Sequence, residues 1–440
     1  MLVNKKSKAH VKRPDWFPNK FYMHFDGPVK RSIAECVVKN TDAIAVHSFL
    51  PLMAFDKHER RFRRQRSKPP EVLVKIRQLA YPSNMDACIF SYYAHLLNAP
   101  YERLISDLGI DECVIGYRKI GSNVDLALSA FNEVRSRGSC VAIACDISGF
   151  FDNIDHQVLK RNWCRVLDVA TLPPGHDKVF QNLTQFSTVS RSACLSRLGH
   201  KRTLKDRDIK KRPICDIKTF RQVIKGKDGH ATTLVVPWRR DYRIPQGTPI
   251  SAIAANISMI DFDVKMKAAV SRFGGSYRRY SDDILVIVPT IGRVPVMEIL
   301  QTNLKHYTRR LKINPKKTDV IEFIPGELAK GKGTKALQYL GFLFEGDRHL
   351  LRPGTISKFY RRMHQKIHHA QSQHRKAKAG ILDGRKTVHQ RSVLTDVTHL
   401  GVGNFLTSYA ARAGMKLGSK HIKKQMSGHM GVYRRILARK

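Results

Sequence analysis

Apolar and polar positions alternate with two different periods through the first two thirds of the chain. Residues 124–134 carry apolar side chains at helical spacing, and residues 248–270 form a longer apolar helical pattern after a turn. A compact apolar run at 140–145 predicts a buried strand, and residues 276–288 predict strand, turn, strand. These segments predict strands interspersed with helices.

The later part of the chain continues this alternation and then becomes helical. Residues 296–311 predict an amphipathic helix, and residues 313–324 predict another strand region. From residue 355 to residue 440 the pattern is helical and basic. Strands that alternate with helices, together with helical ends, predict an α+β fold.

Basic residues are far more numerous than acidic residues. The 440 residues include 79 Lys and Arg but only 36 Asp and Glu, which gives a formal net charge of +43. Such an excess must be solvated or must face a polyanion, because it cannot be neutralised within the chain. Nucleic acid is the partner that this charge favours, and an anionic membrane surface is the weaker alternative.

Two segments concentrate the positive charge. The run Lys57–Arg66 predicts a solvated helix or arm, which would become a clamp against nucleic acid. Residues 195–243 are dense in Lys and Arg and predict a surface insertion, with a hairpin whose second strand is 232–236. Both segments are therefore candidate contacts for a polyanion.

The chain shows no sign of a membrane or secretory destination. Its first residues are charged and are not followed by an apolar stretch, unlike a secretory signal. The longest apolar runs, such as 284–288, are far too short to span a bilayer. We therefore expect a cytoplasmic protein without a membrane partner, in the same compartment as its polyanion.

Three aspartates are prominent because acidic residues are scarce. Asp282 and Asp283 lie side by side between two predicted strands, and Asp146 ends the strand at 140–145. Adjacent carboxylates repel each other and are tolerated where a cation binds. Oxygen ligands from two strands suit Mg²⁺, and two such ions about 4 Å apart can serve phosphoryl transfer. The alternative for Asp282 and Asp283 alone is a solvated turn.

Five motifs around these aspartates resemble those of reverse transcriptases. In chain order they are Asp146–His156 (DISGFFDNIDH), Arg243–Ser251 (RIPQGTPIS), Tyr280–Asp283 (YSDD), Asn314–Thr318 (NPKKT) and Gln338–Phe342 (QYLGF). Upstream, Gly116-Tyr117-Arg118 is similar to the template-side motif of bacterial enzymes. The resemblance covers residues 72–345, with the motifs in the family's order.

The resemblance implies a right-hand polymerase of the α+β class, with a palm built on an antiparallel sheet and helices. The implied domains are a basic N-terminal extension (1–70), fingers (71–138), a palm (139–345, with the basic insertion at about 195–243) and a helical basic thumb or RNA-binding region (346–440). The implied activity is RNA-directed DNA synthesis by a two-metal mechanism.

The resemblance also implies roles for individual residues. Asp146, Asp282 and Asp283 would be catalytic, and they would hold two Mg²⁺ ions, with Mn²⁺ as a substitute, together with Ile147. The implied nucleotide-binding residues are Lys75, Arg77, Phe151, Gln246, Gly247 and Lys317. A bulky ring at Phe151 would leave no space for a 2′-hydroxyl and would select deoxynucleotides. The implied nucleic-acid contacts are Arg118, Tyr280, Leu340, Gly341, Tyr360, Arg361, Arg362, Tyr433, Arg434 and Arg435.

Within the family, the chain is most similar to stand-alone bacterial enzymes. It lacks the V-T-G signature of retron enzymes, and Ala252 follows Ser251 where diversity-generating relatives carry Gln and many others carry Pro. The defence-associated group, type 2 in particular, is the best match. It implies antiphage defence, with a structured non-coding RNA as template, cDNA as product and dNTPs as substrates.

Three alternatives share parts of this pattern. An RNA-synthesising polymerase would use the same palm, although Phe151 argues against it. A maturase-like RNA-binding protein would need no catalytic site, although the three aspartates argue against that. A template-independent terminal transferase is the third alternative. The oligomeric state is not predicted.

Overall fold

The computed structural model describes residues 14–65, 68–199, 212–229, 231–326, 330–331, 336–381 and 390–438. Within these ranges there are fifteen α-helices of at least five residues. They are α1 Arg31–Lys39, α2 Thr41–Ala45, α3 Asn84–Asp107, α4 Asn123–Arg137, α5 His156–Leu167, α6 Pro174–Thr184, α7 Arg191–Arg197, α8 Ser251–Ser258, α9 Ile260–Arg272, α10 Arg293–Thr308, α11 Pro353–Lys378, α12 Gln390–Val397, α13 Ala411–Lys416, α14 Lys420–Ser427 and α15 His429–Ala438.

The strands form three sheets. They are β1 Leu52–Gln65, β2 Lys68–Tyr81, β3 Cys140–Asp146, β4 Ser187–Ser190, β5 Val235–Pro237, β6 Ser276–Tyr280, β7 Asp283–Val288, β8 Asp319–Phe323, β9 Lys330–Gly331, β10 Leu337–Tyr339, β11 Phe342–Phe344 and β12 His349–Leu351. Mixed helices and mainly antiparallel sheets confirm the predicted α+β fold class. No helix in the described ranges combines the length and apolarity that crossing a membrane requires.

The chain divides into two compact units. The first contains residues 1–117, 147–266 and 301–312, and the second contains residues 118–146, 267–300 and 313–440. Both units are therefore discontinuous in sequence. The predicted boundaries of fingers, palm and thumb stay a prediction, although the predicted boundary at residue 70 falls inside strand β2.

The first unit contains a long β-hairpin. Strands β1 and β2 have 14 residues each and pair antiparallel from Met53 and Tyr81 outward. Residues Leu52–Ala54 of β1 also pair with the parallel strand β4, which in turn pairs with β5. The described part of the basic run from Lys57 therefore lies in a strand, whereas a helix or arm was predicted. Alternating charged and apolar residues on β2 explain the difference, because this period suits a strand.

A turn of the first unit is attached to strand β2. The backbone N–H of Ala80 donates to the carbonyl of Gln246 at 3.0 Å. Gly247 has φ +129°, and a Cβ there would lie 2.6 Å from the Ala80 carbonyl oxygen. Glycine is required at this position, since any side chain would separate the turn from the strand.

The second unit is built on a five-stranded antiparallel sheet with the order β6-β7-β3-β8-β9. The apolar run in β3 is buried because this strand lies between β7 and β8. Strands β6 and β7 are joined by a two-residue turn, Ser281-Asp282. The central strand and the hairpin beside it therefore end at the same edge of the sheet, as residue pair Asp146 and Asp283 shows.

A smaller sheet and the C-terminal helices complete the second unit. Strands β10, β11 and β12 form an antiparallel meander, whose first turn is Leu340-Gly341. Both turn residues have positive φ, 45° and 96°, as in the two-residue hairpin turns that match the twist of the strands. Helix α11 buries one apolar stripe, formed by Phe359, Met363, Ile367 and Ala370.

Several predicted elements have different limits in the structure. The helix predicted at 248–270 is two helices, α8 and α9, separated at Met259, because helical geometry is interrupted between two apolar segments. The strand predicted at 313–324 is shorter, since Pro315–Lys317 form a 3₁₀ turn before β8. The hairpin strand predicted at 232–236 is displaced to β5.

Gly247→Ala should destabilise the protein by about 1–3 kcal/mol, because the added Cβ would meet the Ala80 carbonyl oxygen. Gly274→Ala is the matched control, because Gly274 also has positive φ (64°) but would meet no atom within 4 Å. The control should cost only about 1 kcal/mol of backbone strain. Urea unfolding of both variants measures the difference in their free energies of unfolding. Equal losses of stability in the two variants would contradict a close contact between position 247 and the Ala80 carbonyl.

Candidate active site

The acidic turn between β6 and β7 presents two carboxylates at one edge of the sheet. Tyr280 and Asp283 are directly opposite each other, so Ser281 and Asp282 form the turn itself. Ser281 is buried and has φ 60°, and its carbonyl accepts a hydrogen bond from the Nη1 of Arg279 at 3.2 Å. Asp282 is half-buried and Asp283 is exposed, which leaves both carboxylates accessible to a ligand.

Asp146 joins this pair through the register of the sheet. It ends β3 and is directly opposite Asp283 in the antiparallel ladder with β7. Directly opposed residues in such a ladder place their Cβ atoms about 5 Å apart on the same face. The structure therefore brings together the three aspartates that the sequence singled out, all within the second unit.

Lys317 provides the counter-charge to this acidic edge. Its Nζ lies 2.5 Å from Oδ2 of Asp146. Asn314 prepares this contact, because its N–H donates to the Asp146 carbonyl at 2.8 Å and its side chain accepts from the N–H of Lys316. The predicted nucleotide-binding lysine is thus attached to a predicted catalytic carboxylate.

The carboxylates repel one another at this edge. Desolvation, followed by the neighbouring Asp282 and Asp146, raises the pKa of Asp283 to about 6, against the opposing effect of Lys317 and Arg352. Desolvation is also the main cause that raises the pKa of Asp282, and Asp146 adds to it. A bound cation would relieve this repulsion.

The donor atoms at this edge suit a hard divalent ion. Three carboxylates offer oxygen ligands only, as Mg²⁺ prefers. Among the described residues, however, no three His, Cys, Asp or Glu side chains are already gathered as a metal-binding cluster. Ile147 is buried and aliphatic, so it has only its backbone carbonyl to offer. The site has the chemistry for a divalent cation without a preassembled cage.

The predicted nucleotide-binding residues on β2 share one face of the long hairpin. Lys75 is directly opposite Glu59, and Arg77 is directly opposite Lys57. The Nη2 of Arg77 lies 3.7 Å from Glu59 Oε2. Both cations are half-buried, in the first unit. A strand places them at two-residue spacing on one side, as phosphate binding by both would require.

Phe151 and the Pro-Gln-Gly turn are also parts of the first unit. Phe151 begins a short 3₁₀ turn and is half-buried, whereas the neighbouring Phe150 is in the core. The carbonyl of Phe151 accepts from the N–H of Ile244 at 3.0 Å. This bond attaches the segment of Phe151 to the strand-like segment that leads into Gln246 and Gly247. The half-exposed ring is available for a ligand, unlike a core phenylalanine.

The motif serine has a structural role that sequence reasoning left open. The Ser251 hydroxyl donates to the Pro245 carbonyl at 2.6 Å and lies 2.5 Å from Oγ1 of Thr248. These bonds close the loop between Pro245 and helix α8. The conformation of Gln246 and Gly247 is therefore fixed from both sides, by Ser251 and by Ala80.

The predicted nucleic-acid contacts all belong to the second unit. Tyr280 ends strand β6 beside the acidic turn, Leu340 and Gly341 form the turn of the small sheet, and Arg118 begins the unit. An open cavity of about 610 Å³ lies along α11. It is lined by Tyr360, Arg361, His364, Gln365, His368 and Val432. Arg362, Arg434 and Arg435 are exposed on α11 and α15.

Tyr433 departs from its predicted role. It is only 6% exposed, and it packs in the core beside Ile436 of the same helix. A buried ring has no face for a base, so the predicted contact of Tyr433 with nucleic acid does not fit its position. Its two arginine neighbours on the helix surface stay available to phosphate.

Sequence reasoning missed two cations of the second unit. Arg279 is fully buried and donates to the Ser281 carbonyl in the acidic turn, and Arg352 acts electrostatically on Asp283. For Arg279 the sequence did offer a signal, because this charged residue lies within the alternating pattern of strand β6 (Ser276–Tyr280). Arg352 had no comparable signal, because it precedes a helix far along the chain.

Comparison with known families places these residues in a recognised context. The family model described as "Reverse transcriptase (RNA-dependent DNA polymerase)" matches residues 176–344. The match contains the Pro-Gln-Gly turn, Asp282, Asp283, Lys317 and the Leu340-Gly341 turn. This segment is therefore similar to the reverse transcriptase family, in agreement with the motif resemblance. No curated protein sequence matches the chain.

Among solved structures, the chain is similar to fungal telomerases at low identity. Apo telomerase from Candida tropicalis truncated from its C-terminal domain has a TM-score of 0.42 and 11% identity, covering 71% of this chain and 58% of that one. Telomerase from Candida albicans in complex with a TWJ fragment of telomeric RNA has a TM-score of 0.40 and 12% identity, covering 92% and 65%. The chain thus spans less than two thirds of either telomerase, and such distant similarity does not indicate a substrate.

Asp283→Asn should make the protein more stable at neutral pH and should flatten its pH dependence. The pKa of Asp283 is raised in the folded state, so wild-type stability should fall as the pH rises from about 4 to about 6. Above this pH window, Asp283→Asn should raise the free energy of unfolding by about 1 kcal/mol after allowance for solvent screening. Thermal unfolding at pH 4 and pH 8 measures it, and Asp347→Asn is a surface control.

Magnesium should reproduce this stabilisation in the wild type at pH 8 and should have less effect on Asp283→Asn. A variant that is no more stable than the wild type at pH 8 would contradict the inferred repulsion at the sheet edge.

Proposed function

We propose that the protein is an RNA-directed DNA polymerase whose catalytic residues are Asp146, Asp282 and Asp283. The observation that carries this proposal is the register of β3 against β7, which opposes Asp146 to Asp283 at one sheet edge. The reverse transcriptase domain at residues 176–344 supports the same class of reaction. The substrates would be dNTPs, and the product would be cDNA.

The proposed cofactor is a pair of Mg²⁺ ions, for which Mn²⁺ could substitute. When bound, such ions activate a 3′-hydroxyl and neutralise the leaving pyrophosphate. Asp146 and Asp282 would hold them, and Asp283 would support the site electrostatically. Phosphoryl transfer requires mainly positioning and charge neutralisation, so few further groups are needed.

Lys317 would exchange partners during the reaction. Its Nζ now contacts Asp146, and it is 41% exposed, so it can move to a phosphate oxygen. Lys317 would leave Asp146 when the carboxylates hold metal ions, and its charge would then neutralise the leaving pyrophosphate. Lys75 and Arg77 would bind the triphosphate, and an arginine suits bidentate phosphate contact. Gln246 and Gly247 would contact the nascent base pair.

The proposed template is a structured non-coding RNA, and the proposed biological role is antiphage defence in the bacterial cytoplasm. The net charge of +43 supports a polyanionic partner. The basic cavity along α11 adds an aromatic ring and a guanidinium at Tyr360 and Arg361, a combination suited to stacking and phosphate contact. Sequencing the RNA that copurifies with the protein, together with any attached DNA, tests this role.

Asp282→Asn and Asp283→Asn should each reduce primer extension on an RNA template by at least about 1000-fold, because each removes charge from the metal-binding edge. Binding of the same RNA should change by less than about 2-fold, since neither carboxylate would contact the RNA backbone. Gel-based extension and filter binding measure the two effects.

Asp347→Asn is the control for this experiment, because Asp347 is an exposed aspartate whose ion pair, within the described part of the chain, is with the neighbouring Arg348. It should extend primers like the wild type. Extension at the wild-type rate by the double variant of Asp282 and Asp283 would refute the catalytic assignment.

Phe151→Ala should increase incorporation of NTPs relative to dNTPs by about 10–100-fold, because it removes the ring proposed to exclude a 2′-hydroxyl. Phe151→Tyr keeps the ring and should keep the discrimination. Single-nucleotide incorporation with matched dNTP and NTP measures the ratio. Wild-type preference for NTPs would instead identify an RNA-synthesising polymerase, and extension without template would identify a terminal transferase.

A further inference from the structure

Arg243 has a backbone conformation that is unusual for its residue type. It precedes Pro245 by two residues and has φ 81°, in the left-handed region that favours glycine. Such a conformation costs about 1–3 kcal/mol and persists only where the surroundings hold it. The N–H of Arg243 donates to the Ile154 carbonyl at 2.9 Å, and its own carbonyl lies 2.7 Å from Nε2 of His156.

The side chain of Arg243 has three partners on three different segments of the first unit. Its Nε lies 3.1 Å from Oδ1 of Asp152, and its Nη2 donates to Oε1 of Gln78 at 3.1 Å. Its guanidinium carbon lies 4.8 Å from the centre of the Trp238 ring. A planar guanidinium can combine an ion pair, a directed hydrogen bond and a stacking contact, whereas a lysine ammonium cannot.

Two of these partners, Asp152 and Gln78, are adjacent to residues proposed to bind the nucleotide. Asp152 directly follows Phe151, and Gln78 directly follows Arg77. Arg243 itself is three residues before Gln246, whose carbonyl accepts from Ala80 on the same strand as Gln78. One guanidinium therefore links the segments that carry the ring, the phosphate-binding cation and the base-contacting turn.

The backbone strain at Arg243 indicates that the arginine side chain is needed at this position. Glycine would adopt φ 81° without cost, so a purely structural turn would favour glycine here. The Trp238 ring does not require a cation beside it, because it already stacks on Phe186 at a centroid distance of 6.0 Å. An arginine in this conformation is retained at the expense of backbone strain.

We propose that Arg243 is a positioning residue for the incoming nucleotide, which fixes the spacing among Phe151, Arg77 and Gln246 without contacting the substrate. This inference rests on the proposed polymerase function. Its loss should weaken nucleotide binding more than it weakens turnover, because the catalytic carboxylates belong to other elements.

The decisive variants are Arg243→Gly and Arg243→Lys. Arg243→Gly relieves the backbone strain and removes all three side-chain contacts. Arg243→Lys keeps a charge for Asp152 but loses the fork that also reaches Gln78. Arg240→Gly is the matched control, because Arg240 also lies over the Trp238 ring, at 5.5 Å, and donates to the Tyr242 hydroxyl. In the described structure, Asp152 and Gln78 contact Arg243 and not Arg240.

Steady-state extension of a primer on RNA should show the KM for dNTP raised about 10-fold in Arg243→Gly, with kcat within about 3-fold of the wild type. The KM for dNTP of Arg243→Lys should be intermediate, and Arg240→Gly should keep the wild-type KM for dNTP. An unchanged KM in Arg243→Gly, or equal KM effects in Arg243→Gly and Arg240→Gly, would overturn the proposal.

Hydrogen exchange separates this proposal from the proposed function. The N–H groups of Ala80 and Ile244 bond to the Gln246 and Phe151 carbonyls, and both should exchange faster in Arg243→Gly than in Arg240→Gly. If the wild type incorporates no dNTP, the polymerase proposal fails while this measurement still applies. Unchanged protection of both amides would show that Arg243 does not hold these segments, and would overturn the positioning role.

Discussion

The electrostatic repulsion among Asp146, Asp282 and Asp283 is the constraint on which the candidate site depends. Antiparallel pairing of β3 with β7 opposes two of these carboxylates, and the adjacent turn adds the third. Nothing in the fold requires acids at this edge, since the same register would accommodate neutral side chains without desolvation cost. Their presence is understandable if the edge exists to bind cations.

The surrounding residues limit this repulsion without removing it. Lys317 pairs with Asp146, and Arg352 acts on Asp283, yet the pKa of Asp283 stays raised to about 6. A fully neutralised edge would have no affinity for a divalent ion, and an unopposed edge would destabilise the sheet. The charge of this acidic edge is only partly neutralised, as expected where a protein loses some stability at a functional site.

The sequence predicted most where local pattern and long-range pairing agree. The apolar run of β3 and the alternation around Tyr280 to Asp283 were sufficient to place strands whose ends meet, and the structure confirms that pairing. Prediction from the sequence failed for the basic run from Lys57, because charge alone does not distinguish a solvated helix from a long hairpin. It also failed for Tyr433, whose burial depends on how α15 packs, a tertiary property without a local signal.

Left-handed backbone positions show how the candidate functional segments are held. Ser281, Leu340 and Arg243 all have positive φ although none is glycine, and each lies within a motif that sequence reasoning singled out. Such conformations are unfavourable in isolation and are maintained by specific contacts, such as Arg279 to the Ser281 carbonyl and Asp152 to the Arg243 guanidinium. The motifs therefore specify sharp reversals of the backbone as well as reactive side chains. Residues that sustain these reversals, rather than the acids alone, determine whether the reactive groups are presented in a usable geometry.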